Sequence, residues 1–386
     1  MQENISIIKE QCVGCKSCEQ ICPQKCISMK DNQEGFWYPT VTETECIHCG
    51  LCIKACPIQN ISLHRSSPIE VWAFRNKSDC QIMESASGGA ADVATQVMLE
   101  QEGVVYGAAY DEKFKVKHIE VSNDQERKKL QSSKYVQSDL EDCYLKAKAH
   151  LQKAKKVLFT GTPCQIAGLY SFLGKDDPNL YTIDLICHGV PSPKFFDKYL
   201  EYQRQKMGED IICYNFRSKE KGGWGTQYLL KTKTKTKTKT KTLSLDRYGK
   251  HFMEGDCYRE SCYQCPYANI DRVGDMTVGD FWGILKSHPD FFSEKGVSSV
   301  FVNTDKGMHL FEKMKENAEV LKTTLEEGMD KQGNLTNATF RKTTRDYFYQ
   351  EIDDPCFMKK IKMGIQFKQR IKLLIPYNIK CMLKKL

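Results

Sequence analysis

Two cysteine runs of the same spacing open the chain, and short apolar strands alternating with helices follow from Val71. Together they predict a small α+β ferredoxin-like module fused to an α/β domain with a mixed sheet. The first run is Cys12-x2-Cys15-x2-Cys18-x3-Cys22-Pro23 and the second Cys46-x2-Cys49-x2-Cys52-x3-Cys56-Pro57. At 386 residues with 40% hydrophobic side chains, the chain suits one small and one large unit, each with a packed core.

The spacing has a chemical reason. A cubic 4Fe–4S cluster needs thiolates from several sides, and two-residue gaps let one tight loop present three of them. The fourth cysteine, ahead of a proline, ligates the other cluster. Cys12, Cys15, Cys18 and Cys56 are therefore expected on one cluster, and Cys46, Cys49, Cys52 and Cys22 on the second. Zinc knuckles lack the x3-Cys-Pro tail, and disulfides need an oxidising compartment.

Composition narrows the class. There are 19 cysteines, many at metal-type spacing, with neither an export signal nor a run of 18 apolar residues. A cytoplasmic protein is expected. The net charge of +8 is local, because Met358 to Leu386 holds nine Lys/Arg and no acid. Without that tail the chain is nearly neutral, and no nucleic-acid partner is expected.

Along the chain, residues 1–64 read as the two-cluster domain, with Gln59 to Pro68 a polar linker. Residues 71–350 read as the large domain, and 356–386 as a basic amphipathic tail. Strands are expected at Val71–Phe74, Gly103–Tyr110, Val116–Val121, Lys156–Thr160 and Tyr181–Ile186. Helices are expected at Gly89–Glu102, Asp124–Gln131, Asp139–Lys153, Pro163–Leu173, Ser192–Lys206 and Lys306–Ala318. Ile211 to Val302 is richer in strands and loops, and Gly274 to Gly283 reads as a strand ending in a turn. Lys231 to Thr242 repeats Lys-Thr six times. A surface loop is the simpler reading, and an edge hairpin with one lysine face the alternative.

Several stretches of the large domain carry chemistry. Ser87-Gly88-Gly89 precedes a helix and offers open N–H groups to a phosphate, or is an ordinary cap. Lys134-Tyr135 lies in a polar loop. Thr162-Pro163-Cys164 and Asp184-x2-Cys187-His188-Gly189 each end a strand, and Cys262-x2-Cys265-Pro266 follows in a loop. Carboxyl ends of neighbouring strands open on one crevice, so these thiols can meet there. Structural zinc on Cys257, Cys262 and Cys265, or a nucleophilic Cys164, are the competing readings. His188 is a candidate proton donor or a packing group. Trp282 is a candidate stacking ring or a core residue, and Asp280 a candidate orienting group. Cys26, Cys80, Cys143, Cys213, Cys356 and Cys381 have no ligand spacing and read as small buried hydrophobes or incidental thiols.

In that order of motifs the chain, from about Val71 to Lys322, resembles the beta subunit of coenzyme F(420)-reducing hydrogenase and its relatives. The resemblance implies FAD and a third 4Fe–4S cluster in the large domain, which makes it a flavin-binding domain. It implies the cluster on Cys164, Cys187, Cys262 and Cys265, with Cys257 an extra thiol that can replace one of them. It implies flavin contacts at Ser87, Gly88, Gly89, Lys134 and Tyr135.

The expected function is an iron–sulfur flavoprotein oxidoreductase. It would relay single electrons between ferredoxin-type clusters and FAD, which exchanges a hydride with a deazaflavin or other organic substrate. The alternative is a non-catalytic electron-transfer subunit feeding a partner enzyme. Expected partners are an electron donor or acceptor protein such as ferredoxin, and a small-molecule substrate. The tail suits either an anionic membrane surface at the inner face of the membrane, or a helix packed on its own domain.

Overall fold

The computed structural model describes residues 4–60, 65–220, 222–225, 227–233, 238–243 and 246–361. In the front module, β1 (Ile27–Asp31) and β2 (Trp37–Val41) pair antiparallel, with Ile27 opposite Val41. The two cysteine runs repeat in backbone as well as in spacing. Gly14 and Lys16 in the first run, and His48 and Gly50 in the second, all take left-handed backbone with φ between 52° and 73°. These pairs of reversals curl each Cys-x2-Cys-x2-Cys loop and lead into short helices, Ser17–Ile21 and Leu51–Lys54, which carry Cys18 and Cys52.

The rest of the chain contributes β3 (Glu70–Asn76), β4 (Val104–Tyr110), β5 (Val116–Val121), β6 (Val157–Gly161), β7 (Leu180–Leu185), β8 (Asp210–Asn215), β9 (Tyr228–Lys233), β10 (Thr238–Leu243), β11 (Met276–Asp280), β12 (Ser298–Val302) and β13 (Ala318–Thr323). Eight of them form a sheet in the order β13-β3-β12-β11-β7-β6-β4-β5. It is parallel through β11, β7, β6 and β4 and antiparallel towards both edges. The helices Ala90–Glu100 and Asp305–Met314 cover one face, where Val93, Met98, Phe311 and Met314 are buried. The helices Cys143–Gln152 and Pro163–Leu173 cover the other.

Three differences from the sequence expectation have physical causes. The helix expected from Asp139 begins at Cys143, because Asp139 is held by backbone hydrogen bonds to Val116 and His118 beside β5. The helix expected to reach Ala318 ends at Met314, and the chain from Ala318 becomes β13, paired with β3 along the sheet edge. Within the strand-and-loop stretch lies a helix, Arg247–Glu254, which Asp246 caps by accepting from the Gly249 N–H at 2.6 Å.

The Lys-Thr repeat corrects the surface-loop reading. Its described parts are β9 and β10, an antiparallel pair with β10 at the edge of a sheet completed by β8. Pairing with β8 and the Glu209 carboxylate decide this, since Thr232 is buried and donates to Glu209 while Lys231 and Lys233 point outward. Of the basic tail, Phe357 and Met358 are buried in an aromatic core, and residues 362–386 lie outside the described residues. The linker is tied down at Ser66, which exchanges two backbone hydrogen bonds with Arg272.

Among the side chains that hold the front module to the large domain, such as Arg345 on Glu34 and Tyr267 on the Pro57 carbonyl, one is fully buried. Arg259 is fully buried and donates to the carbonyls of Cys12 (2.5 Å) and Trp37 (2.8 Å), and its cation lies 4.2 Å from the Tyr38 ring centroid. A Cβ on Gly14 would strike Gln137 and Arg259, so the left-handed turn also makes room for this grip. Replacing Arg259 leaves the Trp37 carbonyl without its donor and the Cys12 carbonyl with the Ser261 hydroxyl alone (3.0 Å), which costs on the order of 3 kcal/mol. Arg259→Met is therefore expected to lower the melting temperature by about 5–10 °C. It should also expose the Cys12–Cys22 loop to limited proteolysis. Unchanged melting and cleavage would show that the modules are held elsewhere.

Candidate functional site: three thiol sets and a buried cationic centre

The first expected set, Cys12, Cys15, Cys18 and Cys56, is buried together. Burial raises the Cys15 thiol well above its ordinary value, and the neighbouring Cys56 and Cys18 raise it further. Cys18 is raised by burial and then by Cys12, Cys56 and Cys52. Crowded buried thiolates repel one another unless positive metal lies among them, so this donor set fits an iron cluster. The second set, Cys22, Cys46, Cys49 and Cys52, lines one cavity, and Cys49 is exposed at its mouth. Cys26, read as incidental, lies in the same cavity with its sulfur 3.5 Å from that of Cys22.

The third set comes from three separate parts of the α/β domain. Cys164 stands at the start of the helix Pro163–Leu173, beyond the end of β6. Gln165 fixes that turn by accepting the Thr162 N–H at 2.9 Å. Cys187 follows β7, and the Asp184 of its motif proves to be a structural group. The Asp184 carboxylate is fully buried and accepts from Arg272 at 2.8 Å and from the N–H groups of Val273 and Gly274. It thus ties the end of β7 to the loop that brings Cys262 and Cys265. Burial raises Cys187, followed by the charges of Cys262, Cys164 and Cys265. Cys164 and Cys262 are each pushed up to about 12, by burial first and by Cys265 second. These four sulfurs converge as a donor set of the same kind. Cys257 lies beside Cys262 but is packed in the aromatic core with Tyr248, Tyr258 and Tyr349.

The first and third sets share walls. A Cβ on Gly168 would stand 3.1 Å from the Cys15 sulfur, so the absence of a side chain lets the front loop rest on the helix that Cys164 opens. Tyr144 and Tyr267 each feel both Cys15 and Cys164. The Tyr144 hydroxyl donates to Gln165 O at 2.6 Å, and that of Tyr267 to Pro57 O at 2.9 Å.

Past the third set lies a centre built on Arg217. All five of its N–H donors are used. Two go to the Asp280 carboxylate at 2.7 and 2.8 Å, and the others to the Tyr135 hydroxyl (2.9 Å), Ala86 O (3.0 Å) and Gly225 O (2.7 Å). Burial works to raise the Asp280 carboxyl, but the Arg217 charge and hydrogen bonds from Arg217 and Trp224 prevail and hold it below its ordinary value. Trp282 stacks on Trp224 with ring centroids 5.1 Å apart, and Arg217 lies over its face. His188 is lowered by burial first, with Asp280 and Arg217 acting on it in opposite directions.

The Ser87-Gly88-Gly89 turn reaches this centre. The Ser87 hydroxyl donates to Val297 O at 2.8 Å, and a Cβ on Gly88 would strike Phe74 O and Ser298 N. Gly89 (φ 87°) stands at the N-terminus of the helix Ala90–Glu100 and has no side chain to cap it. Beneath the turn, Lys219 donates to Ile82 O (2.5 Å) and Ser87 O (2.6 Å). Lys134 is turned into its own loop, donating to Lys129 O (3.0 Å) and Gln131 O (2.7 Å). Tyr135 stacks on Phe252 with centroids 4.3 Å apart.

Arg217, Lys219 and Trp224 escape sequence reasoning. An Arg-x-Lys pair followed by Gly222-Gly223-Trp224 is visible, yet the carboxylate that Arg217 needs lies 63 residues away.

Lys219 is 4% exposed, and burial, followed by the Arg217 charge, depresses it from 10.5 to about 7. Arg217 is paired with Asp280, so Lys219 carries the centre's remaining positive charge when protonated, and an anion such as a diphosphate bound beside it would hold that proton. The sign of the pH effect follows from linkage. Between pH 7 and 10.5 the unfolded chain holds a proton that folded Lys219 has shed, so its contribution is complete above 10.5 and is lost as pH falls to 7. Without a bound anion, the melting temperature of the parent minus that of Lys219→Met is expected to rise across this window. A difference independent of pH would show that Lys219 is not depressed.

Residues 154–327 match the family described as the C terminus of the coenzyme F(420) hydrogenase/dehydrogenase beta subunit, and residues 11–67 match the 4Fe–4S dicluster domain. Among solved structures, a chain from the xenon-derivatised F(420)-reducing [NiFe] hydrogenase complex of Methanosarcina barkeri is similar at 17% identity. The match covers 75% of this chain and 89% of that one, with a TM-score of 0.45. No curated protein matches. Residues 11–67 are thus a 4Fe–4S dicluster domain, and residues 154–327 a domain of the coenzyme F(420) hydrogenase/dehydrogenase beta-subunit family.

Proposed function

We propose that this chain is an iron–sulfur flavoprotein oxidoreductase. It relays single electrons between a protein partner and FAD through three 4Fe–4S sites, and exchanges a hydride with a deazaflavin or other organic substrate. One observation carries the reading. The first thiol set rests on the helix that Cys164 opens, with Cys15 against Gly168 and with Tyr144 and Tyr267 between the two sets. Cys18 also feels Cys52. The sets therefore follow one another from the second, through the first, to the third.

The outer end suits a partner protein. Cys49 is exposed, and Ile47 (60% exposed) and Leu51 flank it. The inner end suits a flavin. The N-terminus of the helix Ala90–Glu100, which no side chain caps at Gly89, offers its N–H groups to a phosphate, with Lys219 below the turn. Arg217 fixes Tyr135 and Asp280 beside that turn. When bound, FAD supplies the two-electron chemistry that iron–sulfur sites lack. His188, kept neutral by burial, can hold or release a proton next to Cys187.

Protein purified without oxygen is expected to hold about 12 iron atoms, about 12 labile sulfides and one FAD. Cys164→Ser and Cys187→Ser should each remove about four iron atoms and slow electron exchange between the front module and the flavin. Lys219→Met should lower flavin content and leave iron unchanged. About eight iron atoms with stoichiometric zinc would overturn the third site, and protein without flavin would overturn the flavoprotein reading.

A further inference from the structure

Cys26 is a thiol for which the doubled cysteine pattern has no place. It is 5% exposed, its sulfur lies 3.5 Å from that of Cys22, and it lines the same cavity as Cys22, Cys46, Cys49 and Cys52. Its backbone is fixed where β1 begins, its carbonyl accepting the Thr42 N–H at 2.8 Å. The two halves of the module differ here. In the second run, the position four residues after Cys56 is Asn60, whose amide donates to the carbonyls of Ile53, Lys54 and Cys56. The second cavity therefore holds five sulfurs, and the first set has no fifth thiol at the matching position.

Two sulfurs in contact cannot sit on different corners of one cube, because separate iron atoms and their own Fe–S bonds would hold them much farther apart. Cys22 and Cys26 thus compete for a single corner. We propose that the second cluster site has an interchangeable fourth ligand, the buried Cys26 taking the iron corner of the half-buried Cys22, whose sulfur it touches in the same cavity. The exchange balances without an oxidant. With a cluster bound, Cys22 would release its iron and take up a proton, while Cys26 would give up its thiol proton and hold that iron in its place. No electron changes hands, and the proton passes between the two sulfurs. The result is a site that keeps its four-iron cluster when the more accessible cysteine is oxidised or lost. The inference rests on the dicluster domain and needs no flavin.

The test uses the full chain, purified anaerobically, as Cys22→Ala, Cys26→Ala, the double variant and Cys56→Ala. Iron is counted, and the oxidised samples are examined by EPR for three-iron clusters. Cys26→Ala is expected to match the parent. Cys22→Ala should also keep its iron and show no three-iron signal. The double variant, and Cys56→Ala in the set without a spare thiol, should show that signal or lose about four iron atoms. If Cys22→Ala loses iron to the same extent as the double variant, the proposal is wrong. Should Cys22→Ala not fold, Cys22→Ser keeps the side-chain volume. Adding Cys26→Ala to it must then change the EPR spectrum of the reduced cluster, and an unchanged spectrum overturns the proposal.

Discussion

The arrangement depends on the grip of Arg259 on the backbone of Cys12. Arg259 stands in the same short segment as Cys262 and Cys265, so the loop that delivers two thiols to the third set also holds the first loop of the front module. A guanidinium can do this while fully buried, because its fixed fork meets the carbonyls of Cys12 and Trp37 and its face lies on Tyr38. Together with the packing of Cys15 on Gly168 and the Tyr267–Pro57 hydrogen bond, this contact sets the distance between the first and third thiol sets.

Behind that contact the sheet supplies the geometry. β6 and β7 are parallel neighbours, so the chain leaves both at the same edge, and Cys164 and Cys187 emerge side by side. The buried pair Asp184–Arg272 closes the crevice by fastening the end of β7 to the segment after Cys265. A second buried pair, Arg217–Asp280, does the same for the cationic centre, joining the end of β11 to the segment after β8 and to the Ala86 carbonyl. Both are worth more as locators than as net stabilisation, since desolvation offsets much of the attraction in a buried ion pair.

The three thiol sets differ in exposure. The second opens to solvent at Cys49, the first is buried, and the third is half-buried, with Cys262 packed against the aromatic core. Charge differs between the two ends. The tetrad sulfurs are crowded acceptors, and the far end holds Arg217 and Lys219 against one carboxylate. Lys219, beside the Arg217–Asp280 pair, is a chemically consistent neighbour for an anionic group.

The eight cysteines of the front module were legible from spacing, because a cluster loop is local and its ligands must recur at fixed short intervals. The strand-and-helix alternation was equally readable, and β5 and the helix Pro163–Leu173 fall at the expected residues. The Lys-Thr repeat shows where periodicity alone stops. A period of two fits a strand or a solvated loop, and Glu209 and the neighbouring β8 decide for the strand. Cys26 was passed over because its spacing matches no ligand pattern, and only folding brings its sulfur against Cys22. The partners of Arg217, Arg259 and Arg272 were out of reach for the same reason. A buried cation needs acceptors from distant segments, and long-range pairing leaves no local mark. The sequence by itself determined which sulfurs are available and how they are spaced, and the tertiary structure decided which of them meet and in what order, because those contacts join segments far apart in the chain.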